Sequence, residues 1–166
     1  MFDLPKTPPR IAVAISGSES ARIAAEHGDA IFATEPKPEL VKAYTGAGGN
    51  GEKYAEVPLS WAEDESAALR SARETFRFGV TGWKVMAELP NPVNFEAATE
   101  FVGEEHIAES FGYGPDASDH LTVAQQFVDA GFDNLALVNA GPDPDGFFDF
   151  FAKELDEPIR SLTPSR

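Results

Sequence analysis

Residues 10–34, RIAVAISGSESARIAAEHGDAIFAT, constrain the fold of this chain more than any other stretch. Residues 10–16 are a short run of small and β-branched apolar side chains bounded by Pro9 and Gly17, the pattern of a strand buried on both faces. Ser20, Ile23, Ala24 and His27 then fall at helical spacing, and Gly28 is placed as a helix stop. Residues 29–34 (DAIFAT) form the next strand. A helical crossover of this length joins parallel strands, so the segment is a βαβ unit.

The rhythm continues. Residues 38–44 predict a helix ended by GAGGNG, and residues 54–62 (YAEVPLSWA) a third strand in which Pro58 marks a bulge or an edge. Asp64 is a good N-cap for a helix to about Phe78, with Ala68, Leu69, Ala72 and Phe76 on one face. Residues 79–116, interrupted by Pro90, Pro92 and Pro115, read as a helical insertion. Ser118 is then expected to cap a helix that turns Leu121, Ala124, Phe127 and Val128 inward and stops at Gly131. Residues 133–138 (DNLALV) are expected to form a fourth buried strand. A last helix carries Phe147, Phe148, Phe150, Phe151 and Leu155. The fold class is α/β: four βα units with a helical insertion before the last strand. These suit either a flavodoxin-like sandwich or half of a (βα)8 barrel, and the chain is expected to be one domain over 1–166.

In both architectures ligands sit at the carboxyl ends of strands. Ser16, Gly17 and Ser18 open a helix, where free N–H groups favour an anion; the alternative is a plain helix cap. Glu19 in the first turn competes with such an anion. Thr34 and Lys37 follow the second strand and offer a hydroxyl and a flexible positive charge. His27, His106 and His120 are scattered without metal-ligand spacing and read as structural. GYGPD (112–116) and AGPDPDG (140–146) read as turns. No nucleophile stands beside a general base, so no catalytic residue and no metal site is assigned.

Composition removes further classes. The chain has no cysteine, hence no disulfide, thiolate metal site or cysteine nucleophile. It has 13 Lys and Arg against 28 Asp and Glu, a net charge of −15, which repels nucleic acid and anionic membranes. Lysine is scarce and the acids are dispersed, which suits an intracellular, halophilic protein in concentrated salt; the alternative is an ordinary acidic protein of a mesophile. With no apolar run long enough to span a bilayer, and a start MFDLPKTPPR unlike a secretory leader, the expected location is cytoplasmic.

The order LPKTPPRIAVAISG, AAEHGDAIFATEP, LPNPVNFEAATEFV, FVDAGFDNLALVNAGPDPDGFFDFFAKEL is similar to the carboxyl-terminal half of the F420-dependent oxidoreductases of the luciferase-like (LLM) class. The resemblance leans toward the glucose-6-phosphate dehydrogenase branch. It implies half of a (βα)8 TIM barrel. It also implies coenzyme F420 as cofactor, with FMN as the alternative, its phosphate tail contacted at Ser16, Gly17, Glu19 and Ser20. Substrate phosphate in that branch is held by a Thr, two Lys and an Arg. Thr34 and Lys37 match, whereas the second Lys and the Arg fall near Ala97 and Ser110, which puts glucose 6-phosphate in doubt. The catalytic groups of the family lie in the other half. The implied partners are therefore a small-molecule substrate and either an amino-terminal half-barrel or a second copy of the chain. The alternative is a non-catalytic deazaflavin-binding or structural half-barrel module.

Overall fold

The computed structural model describes residues 5–165; the first four residues, part of the stretch read for a leader, and Arg166 lie outside the described residues. The order of elements is β1 (Ala12–Ala14), α1 (Ser18–His27), β2 (Ala30–Ala33), α2 (Pro38–Gly46), β3 (Glu52–Ser60) and α3 (Glu65–Phe76). A 3-10 turn (Arg77–Thr81), α4 (Trp83–Met86), α5 (Pro92–Ala98), α6 (Glu104–Ala108) and β4 (Gly112–Tyr113) follow. The chain ends with α7 (Ala117–Asp129), β5 (Asn134–Asn139), α8 (Pro144–Phe150), a π-helical turn (Phe151–Leu155) and α9 (Asp156–Arg160). Strands and helices alternate and the registered ladders are parallel, an α/β fold as in half of a (βα) barrel with a helical insertion before the last strand. The described residues form two compact units.

The first unit holds the residues through Glu56, Phe127–Ala136, and those from Pro164 on. Its ladder runs Ala14↔Phe32 between β1 and β2 and Phe32↔Tyr54 between β2 and β3. Because strand side chains alternate, this register sorts them onto two faces. One face carries Ile15, Ile31, Ala33 and Ala55, all buried; Ala21 and Ala24 of α1 and Leu40 and Tyr44 of α2 are buried too. Fully burying one such Ile or Leu stabilises by roughly 1.5–3 kcal/mol. The other face is less covered: Ala12 and Ala14 are exposed and Phe32, Tyr54 and Glu56 are half-buried, although Ala30 is buried. The expectation that β1 is buried on both faces is therefore wrong. Among the described residues β1 registers with β2 alone, so its composition looks buried while its environment is that of an edge.

Two glycines are fixed by close packing. A Cβ on Gly51 would stand 1.9 Å from the carbonyl oxygen of Asp29, and one on Gly28 would stand 2.8 Å from the Val13 side chain. Gly28 closes α1 by donating its N–H to Ala24 O at 2.9 Å, as its place in the sequence predicts.

The second unit holds Val57–Gln126 and Leu137–Thr163. Here Asp64 accepts from Ser66 N–H at 2.9 Å and caps α3, whose Ala68 and Ala72 are buried. Ala72 joins Val102, Ile107 and Phe111 in a core that ties the insertion to α3. Gly112 and Tyr113, expected in a turn, instead form β4, in register with Leu59 and Ser60 of β3. A Cβ on Gly112 would lie 2.7 Å from His120 Cα, so only glycine lets α7 settle onto this strand. Ser118 lies inside the first turn of α7 rather than at its cap. Pro58 does not mark an edge, since β3 pairs with β2, β4 and β5. It falls between Ala55, the last residue registered with β2, and Leu59, the first registered with β4. β5 is mostly half-buried rather than fully buried. In α8, Phe147 and Phe150 are buried and Phe148 is exposed.

Candidate functional site

The residues singled out after β1 and β2 all belong to the first unit. Ser20 Oγ accepts from Ser16 N–H at 3.1 Å and from Gly17 N–H at 3.2 Å, and donates to Gly17 O at 3.0 Å. This folds residues 16–20 into a closed turn at the start of α1. Gly17 is the N-cap residue and has no side chain with which to satisfy the first turn, so no side-chain cap is present. Its backbone is extended, and a Cβ there would meet nothing within 4 Å. The first turn of this ten-residue helix thus has no side-chain cap, and the positive end of the helix lies there.

Glu19 is drawn away from that opening. Its carboxylate pairs with Arg22 at 2.7 Å, and Arg22 also reaches Glu26 at 3.0 Å. The hydrogen bond from Arg22, and then its charge, hold the Glu19 carboxyl below the usual carboxylate range. At neutral pH this side chain is an anion already matched to a cation. Glu19 can thus offer a ligand its backbone N–H but not its side chain.

Thr34 lies just past β2 and is exposed. Lys37 is the N-cap residue of α2, and its Nζ pairs with Glu35 at 2.6 Å. Ile15 N–H donates to Phe32 O at 2.8 Å, which carries the parallel register past the end of β1. Ser16 and Thr34 lie in the bends that follow β1 and β2, past the registered pairs, while Glu56 lies within β3 on the same face as Tyr54. Ser16 and Thr34 each follow a paired strand of the first unit, whereas Lys37 and Glu19 are each tied to a neighbour of opposite charge. Glu56 went unnoticed in the sequence. The signal for it was the period-2 pattern of YAEVPLS, which sets Glu56 on the same face as Tyr54 and opposite Ala55 and Val57.

The strand ends of the second unit are occupied by structural hydrogen bonds. Asn139 Oδ1 accepts from Trp61 N–H at 2.9 Å and Gly141 N–H at 3.0 Å, and Asp143 caps α8 through Gly146 N–H at 3.0 Å. Trp61 stacks on Phe150 at 5.6 Å. His106 Nδ1 accepts from Gly103 N–H at 3.1 Å, and His120 is fully buried against Gly114 O at 2.9 Å. Ala97 lies on α5 and Ser110 after α6, and neither side chain carries a charge. Among the described residues, no group of three or more His, Asp or Glu side chains is arranged to hold a metal, and no helix is long and apolar enough to cross a membrane.

No family model matches the chain. It is 25% identical over 175 aligned positions to F420-dependent glucose-6-phosphate dehydrogenase 2 of Rhodococcus jostii, an alignment covering 98% of this chain and 52% of the relative. To the F420-dependent hydroxymycolic acid dehydrogenase of Mycobacterium tuberculosis it is 31% identical over 141 positions, covering 79% of this chain and 38% of that protein. Its fold matches an F420-dependent secondary alcohol dehydrogenase solved with an F420-acetone adduct, with a TM-score of 0.73 at 19% identity, over 94% of this chain and 50% of the other. The chain spans about half the length of the curated relatives it matches first. In sequence and in fold, it resembles roughly half of an LLM-class F420-dependent oxidoreductase.

Proposed function

We propose that this chain is the carboxyl-terminal half-barrel, a single domain over 1–166, of an F420-dependent oxidoreductase acting in the cytoplasm. Ser16, Gly17, Glu19 and Ser20 hold the phosphate tail of the coenzyme, and Thr34 and Lys37 line the substrate pocket. The observation that carries the reading is the uncapped first turn of α1 at Gly17, with room for an oxyanion beside the backbone. A phosphate here would take the place of Ser20 Oγ as acceptor for the Ser16 and Gly17 N–H groups, with the exposed Ser16 hydroxyl and the first-turn N–H groups as further donors. Glu19 fits only through its backbone, because Arg22 holds its carboxylate.

The deazaflavin, when bound, supplies hydride transfer. What these residues supply is orientation: N–H donors aimed at a fixed anion anchor the tail and leave the rest of the cofactor to reach the reacting centre. The groups that carry out the chemistry come from the other half of the barrel. The open face bearing Ala12, Ala14, Phe32 and Tyr54 supports such a partner, since parallel sheets are normally covered on both faces.

Coenzyme F420 titrated into 15N-labelled chain tests the reading. The expected result is saturable shifts of the Gly17, Ser18 and Ser20 amides. Shifts confined to other segments, or none, would sink it.

A further inference from the structure

We propose that Arg73 and Arg77 form a site for a small monovalent anion, of the size and charge of chloride, in the crease between α3 and the turn at residues 99–102. The inference is independent of the coenzyme and substrate readings, since every residue it uses belongs to the second unit.

Two hydrogen bonds place the guanidinium groups together. Arg73, in the last turn of α3, donates from Nε to Val102 O at 2.8 Å, and Arg77, the C-cap residue one turn on, donates from Nε to Thr99 Oγ1 at 3.1 Å. Residues four apart on a helix stand about 5–6 Å apart at Cβ, so both side chains leave from one face. Both acceptors belong to one turn, which Val102 N–H closes onto Thr99 O at 3.0 Å. Thr99 and Val102 are buried and the two arginines half-buried, so the charged heads lie against packed structure rather than free in solvent.

Charge sets this pair apart. Among the described residues Arg10, Arg22, Arg70 and Arg160 each pair with a carboxylate, whereas Arg73 and Arg77 pair with none. Glu74, Glu96 and Glu100, close by in the sequence, are exposed and bond to neither. The carboxyl end of a helix favours a cation, but two so close repel each other. That is unexpected in a chain with 28 Asp and Glu against 13 Lys and Arg, and an anion between the heads supplies the missing charge. Each guanidinium uses its Nε–H on the turn, which fixes its plane and leaves the edge formed by its two terminal nitrogens free to donate. The ion is selected by charge and size. A net charge of −15 repels acidic macromolecules and multiply charged ligands more than one small ion, and the crease beside the buried Thr99 and Val102 favours a compact one. The concentrated salt that the acidic surface suits supplies chloride in excess, so a weak site is filled. Binding there ties the insertion to α3, an anion-specific stabilisation beyond the screening that any salt provides.

Potassium chloride exchanged for potassium gluconate at constant ionic strength tests this on the 15N-labelled chain, because screening stays fixed while the small ion is introduced. The expected result is a saturable shift of the Arg73 and Arg77 Nε–H resonances, absent at Arg70, with protein-dependent broadening of the 35Cl signal in the same samples. Arg77→Gln should weaken chloride binding about fivefold or more, the effect of removing one adjacent charge, while Arg70→Gln leaves it unchanged. The inference is overturned if the Arg73 and Arg77 signals stay still or move without saturating, or if Arg70→Gln weakens binding as much as Arg77→Gln. Inorganic phosphate displacing chloride at a lower concentration would also overturn it, by marking the pair as an oxyanion site. Should Arg77→Gln fail to fold, the wild-type titration decides alone.

Discussion

Gly17 faces two opposed demands. A helix of this length gains from a side-chain cap, and an aspartate at position 17 would supply one without a clash, because a Cβ there meets nothing within 4 Å. The same carboxylate would occupy the opening that a phosphate needs. Gly17→Asp is therefore expected to raise stability by a few tenths of a kcal/mol in urea denaturation while weakening coenzyme binding about tenfold or more. A variant that kept both stability and binding would show that the turn is only a cap. His120 makes a separate prediction. Its Nε2 lies 2.9 Å from Gly114 O, and a carbonyl only accepts, so Nε2 carries the proton. Burial, the largest cause, pushes its pKa down. Between that lowered value and the ordinary value of about 6.5, the unfolded chain binds more protons than the folded one. Stability is thus expected to be complete above about pH 6.5 and to fall as pH drops through that window. Urea midpoints against pH check this, and His120→Phe should flatten the slope there. The residue-level turn was partly legible in the sequence: SGSES marked the break from β1 into α1. The pairing of Glu19 with Arg22 and of Lys37 with Glu35 needed side-chain geometry, because adjacent charges in a sequence do not say which contacts form.

At the scale of elements, β3 separates two environments that composition alone does not distinguish. Leu59 lies on its packed face and is fully buried, so Leu59→Ala is expected to cost about 2–5 kcal/mol. Ala14 is exposed on the open face of β1, and Ala14→Ser is expected to stay within about 0.5 kcal/mol. Equal costs in denaturant titrations would contradict the assignment of faces. The same contrast explains what the sequence reading got right and wrong. Apolar periodicity located α1, β2, α2, β3 and α3 to within a few residues, since local pattern and environment agree there. β1 and β5 have the composition of buried strands, but burial depends on neighbours, and each pairs with a single strand among the described residues. β4 escaped notice because two residues, Gly112 and Tyr113, carry no periodicity, and only pairing with Leu59 and Ser60 makes them a strand.

For the whole molecule, a net charge of −15 places repulsion on the folded state that nearby ion pairs offset only locally. Arg22 already serves two carboxylates, Glu19 and Glu26. Salt shortens the screening length from about 10 Å at 0.1 M to about 3 Å at 1 M, so the melting temperature is expected to rise steadily with KCl. A melt unchanged between low and molar salt would contradict the expectation of a halophilic protein. Resemblance in both sequence and fold extends over nearly the whole chain yet about half of each relative. The central claim is accordingly about one contact, between the coenzyme tail and the turn at residues 16–20. Fluorescence titration of the wild-type chain with coenzyme F420 in high salt, with light scattering on the same sample, tests it most directly. The account predicts saturable micromolar binding that Gly17→Asp weakens about tenfold or more, whereas no binding by a folded chain, or binding indifferent to Gly17→Asp, would contradict it.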